Sequence, residues 1–241
     1  ASIESKEIMV RSPIIVRLLE RRVMKAFIRK SAKWALSRTH IGRKLVLCHN
    51  LLPYLERIGW FRSWEERLPV DRDGNGLPWF TYPLIAFLKG KIQSDMCVFE
   101  YGSGNSTLWW GKQVSSLTSC EHDLEWYNSL KQRIPSNVKY IHCELEYGGQ
   151  YCRTILEYKN RFDIIVIDGR DRVNCAKNSL GALKDDGVII WDNSNREKYQ
   201  DGCSYLIQNG FRRLDFEGLG PVGIHEWCTS IFYRDKNCLE I

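Results

Sequence analysis

The sequence predicts an α/β fold: a doubly wound, mostly parallel seven-stranded sheet with an antiparallel last strand, preceded by N-terminal helices. Three observations predict it. From Trp79 onward, short apolar runs alternate with helical periods, as in strands joined by crossover helices. The first of these runs meets two glycines and then a helical stretch, the usual opening of a ligand-binding α/β sheet. The last two runs are joined by Gly218-Leu-Gly-Pro-Val-Gly223 with no helical stretch between them, so they pair as an antiparallel hairpin.

The elements follow in order. From Pro13 to about Ser37, Val16, Leu19, Val23 and Phe27 recur at three- or four-residue steps, with Arg17, Arg21, Lys25 and Arg29 on another stripe. This spacing predicts an amphipathic helix. Residues 43–60 read as a second helical piece interrupted at Pro53, and Asp71-Arg-Asp-Gly-Asn-Gly76 reads as a turn-rich linker. A boundary is therefore expected at Gly76, between a basic helical segment (1–76) and an α/β domain (77–241). Strands are expected at Cys97–Tyr101, Ser116–Glu121, Val138–His142, Phe162–Asp168, Gly187–Trp191, Phe211–Phe216 and Cys228–Arg234. Crossover helices are expected within Asp123–Ile134, Arg172–Ala182 and Arg196–Gln208.

With 241 residues, 44% hydrophobic and 27% charged, the chain can bury one substantial core. No apolar run approaches the roughly 20 residues that cross a bilayer, and no signal-peptide pattern is visible. The nine cysteines are an odd number without a C-x-x-C pair, which predicts free thiols in a reducing, cytoplasmic setting. The net charge of +6 is uneven. Residues 1–50 hold 12 Lys/Arg against three Asp/Glu, a net +9, and the remainder carries −3. Such a basic segment reads as a solvated helix face or as a contact for anionic membrane surfaces, nucleic acid or an acidic substrate.

The densest chemical signal is Val98-Phe-Glu-Tyr-Gly-Ser-Gly-Asn-Ser-Thr107. Glycines at a strand-to-helix turn let backbone approach a ligand with no Cβ in the way. The second strand ends in Glu121, 19 residues after Gly102, where a carboxylate can accept hydrogen bonds from both ribose hydroxyls. A dinucleotide or S-adenosylmethionine would suit this geometry. A dinucleotide fingerprint places Gly or Ala where Thr107 stands, and the Glu100 carboxylate would repel a pyrophosphate yet attract the amino group of a methionine moiety.

Glu100-x-Gly102-x-Gly104, Glu121 after strand two, Asp168 after strand four and the closing hairpin together resemble the class I S-adenosylmethionine-dependent methyltransferase superfamily, in an uncharacterised small-molecule branch. The likeness spans residues 79–234. It implies that Gly102, Ser103 and Gly104, with Asn105 and Ser106 opening the helix, line the methionine part of the cofactor. It implies ribose contacts from Glu121, with His122 near the adenosine and Glu144 after strand three at the adenine amine.

Methyl transfer from a sulfonium needs an aligned nucleophile and a proton acceptor. Asp168, Asp192 and His225 are the candidates, with Asp168 alternatively a cofactor-binding residue at the amino group of the methionine part. Asp168, Asp192 and Asn193 also form an oxygen set suited to Mg²⁺, similar to that of catechol-type O-methyltransferases, although Asp171 replaces the lysine of that pattern. Arg170 and Arg172 could bind an anionic acceptor, and Tyr82 and Tyr151 could line its pocket. The expected activity is O-methylation of a small polar acceptor, a sugar or secondary metabolite, with N-methylation as the alternative. The nucleic-acid signatures D-P-P-Y and N-P-P-Y are absent after strand four, which argues against a nucleic-acid methyltransferase. A non-catalytic nucleoside- or nucleic-acid-binding protein of the same fold is the rival class.

Overall fold

The computed structural model describes Trp34 and residues 38–241; the helix expected over Pro13–Ser37 lies almost wholly outside them. By its internal contacts the chain divides into Ala1–Leu55 and Glu56–Ile241. Helix α1 (His40–Arg57), all but its last two residues in the first unit, runs unbroken through Pro53, where an interruption was expected. Thr39 opens it, its Oγ1 accepting from the Gly42 N–H at 2.9 Å. The missing proline N–H leaves one carbonyl without its helical donor, a cost that solvent relieves on an exposed helix.

In the second unit, α2 (Trp60–Glu66) and α3 (Tyr82–Leu88) precede the sheet. The sheet then builds as β1 (Cys97–Tyr101), α4 (Asn105–Gly111), β2 (Ser116–Glu121), α5 (Leu124–Lys131), β3 (Val138–His142), α6 (Gln150–Arg153), β4 (Phe162–Ile167), α7 (Arg172–Ser179), β5 (Leu183–Asp192), α8 (Gln200–Gln208), β6 (Arg212–Gly218) and β7 (Trp227–Tyr233). Strand order is β3-β2-β1-β4-β5-β7-β6. The first five strands are parallel, and β7 runs antiparallel to both β5 and β6. The order reverses between β1 and β4, so the carboxyl ends of these strands open a crevice there.

The central strands are mostly apolar because both faces are covered, with Glu100 in β1 and Asp163 in β4 as buried charged exceptions. All of Phe162–Ile167 is buried, and alternate residues feed two cores. One is built around Phe99, Tyr101, Ile165, Ile167 and Trp191, the other around Val98, Ile164, Val166, Ile190 and Trp110. All nine cysteines are free thiols, five of them buried. No helix among the described residues is long and apolar enough to cross a membrane.

Residues 56–76, grouped by sequence with the basic segment, pack within the second unit. The Trp60 indole N–H donates to the Gly223 carbonyl at 2.8 Å and the Val222 N–H to Ser63 Oγ at 3.0 Å. The Asn105 side chain donates to the Pro69 carbonyl at 2.8 Å. This stretch thus ties the β6–β7 loop and the start of α4 together at the carboxyl edge of the sheet.

Candidate functional site

The glycine turn follows β1. Gly102 has φ +87°, and a Cβ there would lie 2.9 Å from the Gly169 Cα, so backbone conformation and the close approach of the β4 end both require glycine. Gly104 differs. Its backbone is extended and the nearest atom to a Cβ would be on the Trp126 ring at 3.8 Å. The fold leaves open space beside Gly104, a cradle that a side chain would fill.

Glu100 lies beneath this turn, only 1% exposed. Its Oε2 accepts from Thr107 Oγ1 at 2.6 Å and Ser119 Oγ at 3.0 Å, and Thr107 Oγ1 accepts in turn from the Gly104 N–H. The expected contact between Glu100 and a ligand's amino group is therefore corrected: the carboxylate sits behind the turn and fastens it to the start of α4. Oε1 is buried without a partner, and burial pushes the group up to about 7 because the charged form loses its solvation.

Glu121 ends β2 beside the turn, 3% exposed. Oε2 accepts from the Ser103 N–H at 3.0 Å and Ser103 Oγ at 2.7 Å; Oε1 accepts from the His122 and Asp123 N–H groups at 2.7 and 2.9 Å. His122 Nδ1 is 2.8 Å from the same oxygen. Two residues not anticipated from sequence complete this corner. Tyr140 Oη is 2.7 Å from Ser103 Oγ, and the Trp126 indole N–H donates to the Ser103 carbonyl at 3.0 Å. No motif marks either residue; they arrive because α5 and β3 fold beside the turn. Glu144 is exposed on the loop after β3.

At the ends of β4 and β5, Asp168 and Asp192 come together around Arg172. The guanidinium Nη2 is 2.8 Å from Asp168 Oδ1, and Nη1 is 3.6 Å from Asp192 Oδ2. It also donates to the carbonyls of Gly169, Asp168 and Asp192. Asp192 Oδ1 accepts from the Trp227 indole N–H at 2.8 Å and Thr229 Oγ1 at 2.7 Å. Burial raises both carboxyls, and for Asp168 the nearby Asp192 charge adds to it. Burial lowers Arg172, but the charges of Asp168 and Asp192 outweigh it and raise the group overall.

This arrangement corrects two expectations. Asp168, Asp192 and Asn193 do not fit a divalent cation, because the Arg172 guanidinium already lies between the carboxylates, and its charge would repel a metal ion placed beside it. Among the described residues no group of three or more His, Cys, Asp or Glu side chains is placed to hold a metal. Arg172 itself is buried and committed to joining the ends of β4 and β5, so it is not a free acceptor clamp. Arg170, by contrast, is exposed at the edge.

Tyr82 and Tyr151 are likewise corrected from pocket lining to core. Tyr151 is fully buried, its ring 5.6 Å from that of Tyr101, and its hydroxyl fills the place of a Cβ on Gly169. Tyr82 is buried at the head of α3, its N–H donating to the Leu219 carbonyl at 2.8 Å. Asn193, with φ +54°, turns the chain out of β5. His225 is exposed on the β6–β7 loop, which the sheet topology puts at the same carboxyl edge as the glycine turn.

No family model and no curated protein matches this sequence. Solved structures do. Precorrin-6y C5,15-methyltransferase from Geobacter metallireducens superposes with a TM-score of 0.50 at 11% identity, over 71% of this chain and 96% of that one. A TehB-like SAM-dependent methyltransferase from Corynebacterium glutamicum gives 0.45 at 15% identity, over 62% and 86%. A spermidine synthase from Thermotoga maritima gives 0.44 at 13% identity, over 63% and 60%. The chain has the Rossmann-like fold of the class I S-adenosylmethionine-dependent methyltransferases. Likeness at these identities establishes the fold and leaves the reaction to be read from the site.

Proposed function

We propose that this chain is an S-adenosylmethionine-dependent methyltransferase acting on a hydroxyl of a small polar acceptor. The observation that carries the reading is the corner formed by Glu121 and the Gly102–Gly104 turn, where a buried carboxylate faces a stretch of backbone with room beside Gly104. The residues present fit a sulfonium nucleoside. Glu121 would take the ribose hydroxyls by exchanging the Ser103 hydroxyl for them, and Ser103, Gly104, Asn105 and Ser106 would border the methionine part. His122 and Glu144 stand on the adenosine side, after β2 and β3.

When bound, S-adenosylmethionine supplies an activated methyl group on a cationic sulfur. The protein's share is to orient an acceptor and remove its proton. Asp168, at the β4 end beside the glycine turn, would take that proton. Its Oδ1 stays on Arg172, leaving Oδ2 to receive the proton, while Asp192 and Arg172 fix its position. His225, on the loop across the edge, is the second candidate base. Exposed Arg170 would attract an acceptor carrying a carboxylate or phosphate. No step is assigned to a metal ion, because the Arg172 guanidinium provides the positive charge at this edge.

Calorimetry with S-adenosylhomocysteine tests the reading. Binding should be measurable below millimolar concentration, and Glu121→Ala should weaken it by about 1–3 kcal/mol through loss of charged hydrogen bonds. Absence of binding to the wild-type chain, or unchanged affinity in the variant, refutes the assignment.

A further inference from the structure

Helix α1 presents a broad apolar face. At 100° per residue, Ile41, Leu45, Leu47, Leu51 and Leu52 fall within one arc of less than half the helix circumference. All five are exposed, between 48% for Leu52 and 72% for Ile41. Single exposed leucines are ordinary, but five on one face form the contiguous patch that marks a docking surface.

Charge identifies the occupant. Arg43 borders this arc on one side and Glu56 in the last turn on the other, and Lys44 lies within it, where its long stem can lie along the apolar surface and keep the ammonium in water. No acidic residue stands in the first turn of α1, and residues 1–50 carry a net +9. Another protein would need a matching apolar and acidic surface. An anionic bilayer offers both at once, acyl chains under negatively charged headgroups. The helix is not apolar enough to span a bilayer, yet has the sidedness of one that lies in the interface.

We propose that α1 docks the protein in the plane of an anionic membrane surface, the leucine face inserted among the acyl chains and Arg43 and Lys44 at the headgroups. This is independent of the methyl-transfer reading and adds a place of action to it. The step is reversible association, with no chemistry at the membrane.

The full chain should float with vesicles of phosphatidylcholine containing phosphatidylserine, and much less with phosphatidylcholine alone. Raising salt to about 0.5 M should release it, since the headgroup attraction is screened. Leu45→Glu together with Leu52→Glu should lower the bound fraction at least about tenfold by placing two charges in the acyl region. An unchanged circular-dichroism melt would show that the sheet domain is intact in that variant. Failure to float on the anionic vesicles overturns the proposal, as does equal binding to neutral ones or indifference to the double substitution. A dimer in gel filtration that the double substitution dissolves would also overturn it, by assigning the face to a second copy of this chain.

Discussion

Glu100 supplies the sharpest test of how the glycine turn is held. It is 1% exposed, with one carboxylate oxygen bound to Thr107 and Ser119 and the other unpartnered. Folding raises its pKa from 4.5 to about 7. The native state therefore binds this proton more tightly than the unfolded chain. That contribution is fully present below the unfolded value and lost as pH rises through the folded one. Linkage over this interval amounts to about 3 kcal/mol in total, of which about 2 kcal/mol falls between about pH 5.5 and pH 8.5. Glu100→Gln replaces the titrating acid by an amide whose oxygen can still accept from Thr107 and Ser119. Its NH₂ inherits the unpartnered site, so the variant should be less stable at low pH by about 1–3 kcal/mol. The informative quantity is the slope. In urea unfolding across this range, wild type should lose about 2 kcal/mol more than Glu100→Gln. Parallel pH profiles for the two proteins would show that Glu100 remains ionised in the fold and that burial does not govern it.

The two glycines should separate by assay. Gly102→Ala forces a Cβ into a left-handed backbone 2.9 Å from Gly169 and should cost about 2 kcal/mol or more in thermal or urea unfolding. Gly104→Ala meets nothing nearer than 3.8 Å, so it should leave stability within about 0.5 kcal/mol while weakening S-adenosylhomocysteine binding; a stability loss equal to that of Gly102→Ala would contradict the open cradle. Arg172→Met leaves Asp168 and Asp192 without their buried cation, and urea unfolding near neutral pH should show a loss of about 3–5 kcal/mol. Because burial and Asp192 raise Asp168, its base form is gained as pH increases, so kcat/KM should climb with pH and Asp168→Asn should flatten the profile; a profile unchanged in the variant would transfer the role to His225. Chelation by EDTA should leave methyl transfer unaffected, and restoration of a lost activity by Mg²⁺ would revive the cation site.

The strands, their alternation with helices and the closing hairpin were legible in the residues alone, because buried parallel strands are mostly apolar and their crossovers are helical. The turn at Gly102 and the acid at Glu121 were legible too, since their type and spacing answer a local requirement. What the side chains do there emerged with packing. Glu100 reads as exposed to a ligand until Thr107 and Ser119 fold over it. Asp168, Asp192 and Asn193 read as oxygen ligands until Arg172, four residues from the first of them, turns back between the strand ends. Tyr82 and Tyr151 read as pocket aromatics until the packing of α3 and α6 buries them. Trp126 and Tyr140 carried no signal at all, because their meeting with Ser103 depends on how α5 and β3 lie against the turn. Backbone pattern is written in nearest neighbours along the chain, whereas charge pairing and burial are settled between residues that only the packed sheet brings together.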